Sequence, residues 1–199
     1  MSEKIPILYH QNGIAVISKR FGLASQPTRK GEENLYSLLK KQFSYVGLHH
    51  RLDTPASGLL LITTDKKHNK FIAEAFQQRQ IQRQYLLAVI GKTNEQGCWD
   101  ALIEGKEAKT NWQRKAYKDG FSILEATLKT GRKHQIRRHA TRAGHPIIGD
   151  RRYGGAAGKL SKRLVLHAYR LVFTHPANNQ SVTVIAPIPQ ALLPFLHIS

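Results

Sequence analysis

In His49-His50-Arg51-Leu52-Asp53-Thr54-Pro55-Ala56-Ser57-Gly58 a carboxylate stands beside a guanidinium, immediately before the apolar run Leu59-Leu60-Leu61-Ile62. Two chemistries suit that aspartate. Asx side chains accept hydrogen bonds from amides two residues on, so Asp53 can tighten the turn that Thr54-Pro55 favours. A carboxylate held at the edge of a rigid strand can also serve as nucleophile or base. A second segment, Gly131-Arg132-Lys133-His134-Gln135-Ile136-Arg137-Arg138-His139, reads as a glycine turn entering a short helix, and Gly144-His145-Pro146 as its stop. On a helical projection Ile136, Ala140 and Ala143 form an apolar stripe, and Arg138 and Arg142 point to the opposite side, free for phosphates. Arg137 borders the stripe and can reach inward, where a guanidinium needs a carboxylate partner. His134 and His139 lie about 140° apart on the helix, with no Cys cluster or carboxylate motif nearby, so no metal site is expected.

These groups sit in a strongly basic chain. Thirty-one Lys and Arg against thirteen Asp and Glu give a formal charge of +18 over 199 residues. From Ala126 to Ser199 the one acidic residue is Asp150, against twelve Lys and Arg. Such a field draws in polyanions, with nucleic acid the leading partner and an acidic membrane surface a distant second. The single cysteine, Cys98, excludes an internal disulfide and a multi-cysteine zinc site and fits a reducing compartment. Glu3 and polar neighbours break any signal-peptide core, and no apolar run approaches a membrane span, so a cytoplasmic protein is expected.

The elements that must position these groups can be read from pattern. Asn12-Gly13 between two apolar runs predicts a hairpin. Residues 21–34 read as a loop, 35–43 as a short helix, and 58–64 as a strand apolar on both faces. Asp65 can cap a helix running to about Gln80, with Phe71, Ile72, Ala75 and Phe76 on one core-facing side. Residues 81–91 form a strand with Tyr85, Leu87 and Val89 on one face, which should be central. Tyr85 is there either a core tyrosine with a satisfied hydroxyl or a stacking platform. Residues 109–117 and 121–128 pair through Lys118-Asp119-Gly120, and 164–173 and 181–185 form another pair. Hairpins outnumber crossovers, which predicts one α+β domain over residues 1–199, with a mixed, mainly antiparallel sheet and flanking helices.

His50-Arg51-Leu52-Asp53 with Ser57-Gly58-Leu59-Leu60-Leu61, Arg83-Gln84-Tyr85, Thr130-Gly131-Arg132 through His139, Gly144 through Gly154, and Leu164 through Pro176 resemble, in order and spacing, the RluA family of RNA pseudouridine synthases. The resemblance spans about residues 6 to 187. It implies a sheet crossed by a central cleft, a base-flipping reaction on RNA, no metal and no organic cofactor. It further implies that Asp53 is the catalytic aspartate, Tyr85 the tyrosine under the target base, Arg137 the arginine pairing with the aspartate, and Arg51 the side chain that enters the space of the flipped base. Ala56 and Arg83 depart from the common Thr and Lys of the family without removing a group the chemistry needs. With the first catalytic strand starting near residue 6, no room is expected for the S4 domain some relatives carry.

Conversion of uridine to pseudouridine breaks C1′–N1 and rejoins the base through C5. A carboxylate can serve it at C1′, at C6, or as base on the 2′ hydrogen, and the residues leave these open. His50, Arg51, Arg132, Lys133, His134, Arg138, Arg142, Arg151, Arg152, Lys159, Lys162 and Arg163 are expected on the RNA path, with Gly154 to Gly158 a mobile loop able to close on it. The substrate is expected to be a tRNA or rRNA stem-loop, with the wording around Arg137 leaning towards tRNA, and the protein to be a monomer. A non-catalytic RNA-binding or ribosome-assembly factor on the same fold is the alternative; it has no reason to keep Asp53, Tyr85 and Arg137 together. A two-metal nuclease lacks its carboxylate cluster.

Overall fold

A computed structural model of the chain describes residues 4–27 and 32–196, so residues 28–31 of the expected loop lie outside the described residues. The fold divides into two compact units: the chain up to Ile81 with Arg170–Ala186, and Gln82–Tyr169 with the chain from Pro187 onward.

The first unit opens on the hairpin of β1 (Ile7–Gln11) and β2 (Ile14–Lys19). Asn12 and Gly13 take φ of 42° and 78°, the paired positive values that a two-residue turn of this twist requires. After α1 (Leu35–Lys40) and β3 (Gly47–Leu48) comes β4 (Ser57–Thr63), buried at every position. β2 and β3 each pair antiparallel with β4. Asp65 does cap the next helical segment, but by accepting from the Lys67 amide at 3.0 Å. A carboxylate bonded to the amide two residues on selects a tight turn. The expected single helix is therefore a 3₁₀ turn, Lys66–His68, succeeded by α2 (Asn69–Gln77). Ile72 and Ala75 of α2 enter a core with Ile14, Val16, Leu59, Leu61, Leu171 and Phe173. Phe71, at the margin of that stripe, is instead exposed.

In the second unit β5 (Gln82–Ile90) pairs antiparallel with β8 (Phe121–Leu128), β8 with β7 (Thr110–Lys118), and β7 with β6 (Gln96–Trp99). The β7–β8 turn is Asp119-Gly120, again with two positive φ values. β6 has no counterpart among the expected strands: four residues carrying Gly97 and Cys98 show no strand pattern. It exists because Gly97 lies flat under the Trp112 ring, where a Cβ would sit 2.5 Å from the ring, and Trp99 packs beside it at 5.4 Å. α3 (Gln135–Arg142) ends as expected at Gly144, with the His145 amide on the Ala140 carbonyl and the Gly144 amide on Thr141. β9 (Leu166–Thr174) passes from this unit into the first, where β10 (Ser181–Ile185) pairs with it. The short α4 (Leu193–Leu196) comes last. The pairs of described register are antiparallel, in a mixed sheet with few helices, as the pattern predicts.

The segment expected to be a mobile glycine loop is a packed 3₁₀ turn, Gly155–Lys159. Two glycines of the segment serve close approach: a Cβ on Gly154 or Gly158 would lie 2.5 or 2.8 Å from the Asp150 carbonyl oxygen. Gly149 is tighter still, at φ +74° with the Arg163 carbonyl oxygen 1.9 Å from a would-be Cβ. Gly149→Ala is expected to cost more than about 2 kcal/mol and to lower the thermal midpoint by roughly 4–8 °C, measured by circular dichroism.

Candidate active site

Asp53 lies in the first unit. The chain approaches it through His50, whose Nε2 accepts from the Leu61 amide of β4 at 2.9 Å and whose ring lies 4.7 Å from that of Phe76. His50 thus fixes the approach to the turn on β4, a positional task beside the RNA contact expected of it. Leu52 is buried and exchanges two hydrogen bonds with Ser25, its carbonyl accepting from Oγ at 2.8 Å and its amide donating to Oγ at 3.1 Å. The Ala56 amide then donates to the Asp53 carbonyl at 2.9 Å, closing the turn into β4. Arg51 is exposed and Asp53 half-buried.

A residue that sequence reasoning misses lies under this turn. Lys19, at the end of β2, is 1% exposed. Its Nζ donates to the carbonyls of Ala56 at 2.6 Å, Leu23 at 2.8 Å, Arg20 at 3.0 Å and Thr54 at 3.3 Å. Two of those acceptors belong to the turn that carries Asp53. Burial pushes the ammonium down to about 7, while the charge of Asp53 pulls it up and that of Arg20 adds to the lowering. The only sequence signal is a lysine at the end of a mainly apolar strand.

Tyr85 and Arg137 lie in the second unit. Tyr85 is buried at 5% exposure on β5. Register places it in one row with Ala126 of β8 and Trp112 of β7. α3 docks on that same face, because Gln135 Nε2 donates to Thr110 Oγ1 at 2.9 Å and His139 Nδ1 meets the same oxygen at 3.0 Å. The docked side of α3 is therefore largely polar: Ile136 and Ala140 are buried as predicted, but so are Gln135, Arg137 and His139. Ala143, the C-cap residue beyond the docked turns, is exposed. His139 also uses its other ring nitrogen, at 2.9 Å from the Ala101 carbonyl, and His134 Nδ1 lies 2.7 Å from the Tyr153 hydroxyl.

Arg137 has the carboxylate partner that its position demands, and a bidentate one: Nε and Nη2 each donate to Asp150 at 2.8 Å. Side-chain exposures are 5% and 0%. This ion pair engages two of the five N–H donors of the guanidinium. The amides of Arg152 and Tyr153 donate to Asp150 Oδ1 at 3.0 and 3.1 Å. The Tyr153 ring lies under both Arg137 and Arg152, at 5.0 and 5.5 Å. Burial alone raises the Asp150 carboxyl, but the hydrogen bonds and charge of Arg137, with the two amides, outweigh it and hold it below the usual carboxylate range.

Of the expected basic path, Arg132, Lys133, Arg138, Arg142, Arg151, Arg152, Lys159, Lys162 and Arg163 all lie in the second unit. Arg151, Arg152, Lys133, Lys159 and Lys162 are exposed, and Arg163 is half-buried with its basicity lowered by that burial. Arg138 and Arg142 do not stand free: Arg138 pairs with Glu104 at 2.7 Å, and Arg142 donates to the Leu102 carbonyl at 2.6 Å. Among the described residues no group of three or more His, Cys, Asp or Glu is placed to hold a metal ion, and no helix is long and apolar enough to cross a membrane.

The sequence profile of a family described as RNA pseudouridylate synthase matches residues 13–142. The chain is 32% identical to the ribosomal large subunit pseudouridine synthase D of Xylella fastidiosa, over 96% of this chain and 68% of that protein. It is 30% identical to the dual-specificity RNA pseudouridine synthase RluA of Escherichia coli, over 91% and 92% of the two chains. It is 31% identical to the tRNA pseudouridine synthase C of Haemophilus ducreyi, over 94% and 92%. Human RNA pseudouridylate synthase domain containing 1 shares the fold, with a TM-score of 0.80 at 24% identity over 94% of this chain and 84% of that one.

The two buried cations are open to direct test. Asp150→Asn removes the buried carboxylate that Arg137 grips through two hydrogen bonds and is expected to cost about 3–5 kcal/mol by urea denaturation. Because the folded carboxyl titrates lower than the unfolded one, its stabilisation is complete above about pH 4 and is lost as pH falls through the folded value; that acid-side loss is expected to shrink in the Asn variant. Lys19→Met leaves carbonyl acceptors without their donor. It is expected to cost about 1–3 kcal/mol and, in the folded fraction, to lower kcat while RNA affinity stays within about two-fold.

Proposed function

The chain belongs to the RNA pseudouridylate synthase family and is an isomerase acting on uridine in RNA; we propose that Asp53, Tyr85 and Arg137 carry its reaction, with both units serving as one catalytic domain. The observation that supports this most directly is the placement of Asp53: a half-buried carboxylate on a turn held by Ser25 and Lys19, feeding a strand buried along its whole length. Catalytic groups need that rigidity, since small misplacements weaken a positioned group strongly.

In this reading a uridine is flipped from a tRNA or rRNA stem-loop. Flipping costs a few kcal/mol of unstacking, part of which the exposed Arg51 returns by filling the vacated space. Asp53 engages the nucleotide, the C1′–N1 bond breaks, the uracil turns, and C1′–C5 forms. C5 then loses its proton and N1 gains one, so the product is an isomer and no redox partner or added atom enters. Tyr85, too deep to be an open platform, is the floor on which the base rests. Arg137, held by Asp150, supplies the fixed positive charge that the aspartate requires. The exposed basic residues of the second unit, together with His50 and His134, track the phosphates. A charge of +18 disfavours self-association, and we place the protein in the cytoplasm as a monomer acting without metal or organic cofactor.

The test is mapping by carbodiimide adduct and primer extension on unmodified tRNA and ribosomal RNA. Wild type is expected to give a discrete stop, and Asp53→Asn to lose at least about 1,000-fold in rate while still binding RNA. Tyr85→Phe is expected to bind RNA like wild type and to turn over more slowly. A stop of equal intensity with Asp53→Asn removes Asp53 from the chemistry.

A further inference from the structure

The hairpin turn at residues 101–107 carries an acidic side chain into the basic surface of the second unit. Ile103 and Lys106 exchange backbone hydrogen bonds of 3.0 and 3.1 Å, and Glu104 and Gly105 form the tip at φ of 53° and 71°. A left-handed glutamate is uncommon, and it aims the side chain out of the tip. Cations along α3 and its entry hold this hairpin. Arg132 Nε donates to the Glu107 carbonyl at 2.9 Å, Arg142 Nη1 to the Leu102 carbonyl at 2.6 Å, and Arg138 Nη1 to Glu104 Oε1 at 2.7 Å. The Glu104 carboxylate is nevertheless 67% exposed at its side chain, and the Arg138 side chain is 19% exposed. Glu104 is held below the usual carboxylate range by Arg138 first, with Lys133 and Lys106 adding to the positive field.

A carboxylate and a phosphodiester present the same feature to a guanidinium: anionic oxygens able to accept its N–H groups. We propose that Arg138, with Lys133, Lys106 and Arg142 around it, forms a binding position for one RNA phosphate, and that Glu104 is its resident stand-in, displaced when RNA seats. This deepens the reading of the protein as an RNA enzyme and rests on it. The hairpin backbone stays held through Arg132 and Arg142 while the Glu104 side chain swings to solvent, so the exchange needs no refolding. Glu104 also makes the cations of α3 less attractive to an arbitrary polyanion. It thereby favours RNAs whose other contacts offset the exchange.

The experiment is a salt titration of binding to fluorescein-labelled in vitro-transcribed tRNA by wild type, Glu104→Gln, Glu104→Gly, Arg138→Gln and the Glu104→Gln/Arg138→Gln double variant, with folding checked by circular dichroism. Glycine suits the left-handed tip and guards against a fold defect peculiar to Gln. Both Glu104 variants are expected to bind roughly two- to five-fold more tightly than wild type at moderate salt. Arg138→Gln is expected to shallow the salt slope of log affinity by about 0.7–0.9, and Glu104→Gln to have no effect in that background. Equal affinity of wild type and both Glu104 variants, with tRNA bound by all, overturns the stand-in and leaves the RNA reading intact. The same gain from Glu104→Gln with and without Arg138 also overturns it, because the effect is then net charge alone. No salt-sensitive binding by any variant overturns both.

Discussion

The buried pair of Arg137 and Asp150 sets the terms for the second unit. Removing two charges from water costs several kcal/mol per ion even after relaxation, so the surroundings must return it. They do so with two 2.8 Å hydrogen bonds, the amides of Arg152 and Tyr153 on the carboxylate, and the Tyr153 ring against the guanidinium. Arg137 apart, those groups all come from residues 150–153, so the pair ties one short stretch of chain to α3. Residues 150–154 are wound around the carboxylate, and the glycines at 154 and 158 exist where backbone must come within contact of the Asp150 carbonyl. α3 is held from below by Gln135 and His139 and at its entry by His134 on Tyr153. The orientation of the guanidinium is thus settled by folding, before any substrate arrives.

The first unit solves a similar problem with a lone ammonium. Lys19 is satisfied by carbonyl oxygens, including those of Thr54 and Ala56. An ammonium has three donors on a compact head, which suits convergence of several backbone segments better than the planar fork of arginine. The loop around Leu23, the end of β2 and the turn after Asp53 are tied at that point. In both units a buried cation orders the backbone near a residue of the proposed chemistry.

Much of this architecture is legible in the chain. Asn12-Gly13 and Asp119-Gly120 announce their hairpins because left-handed turns leave few choices of residue, and the unbroken apolar run after Gly58 announces a buried strand. The motifs around Asp53 and Arg137 point to one family. What stays hidden depends on contacts distant in sequence. Asp150 lies thirteen residues after Arg137 in a glycine-rich run that reads as loose, and only the folded structure shows those glycines pressed on its carbonyl. The docking side of α3 escapes a search for apolar periodicity because Gln135 and His139 do the docking through Thr110. Lys19 shows only as a lysine in a mainly apolar strand, β6 carries no pattern at all, and Arg138 and Arg142 read as free because the hairpin that engages them is a neighbour only in space.

The stacking of Trp99 on Trp112 over Gly97 has an optical corollary. These are the two tryptophans of the chain, and both belong to the second unit. Excitation at the red edge of protein absorbance therefore illuminates one unit and leaves the other dark. The first unit, with Tyr9, Tyr36 and Tyr45, answers only to shorter wavelengths. The chain thus carries a label-free reporter of loosening in the second unit alone, since tyrosines occur in both units.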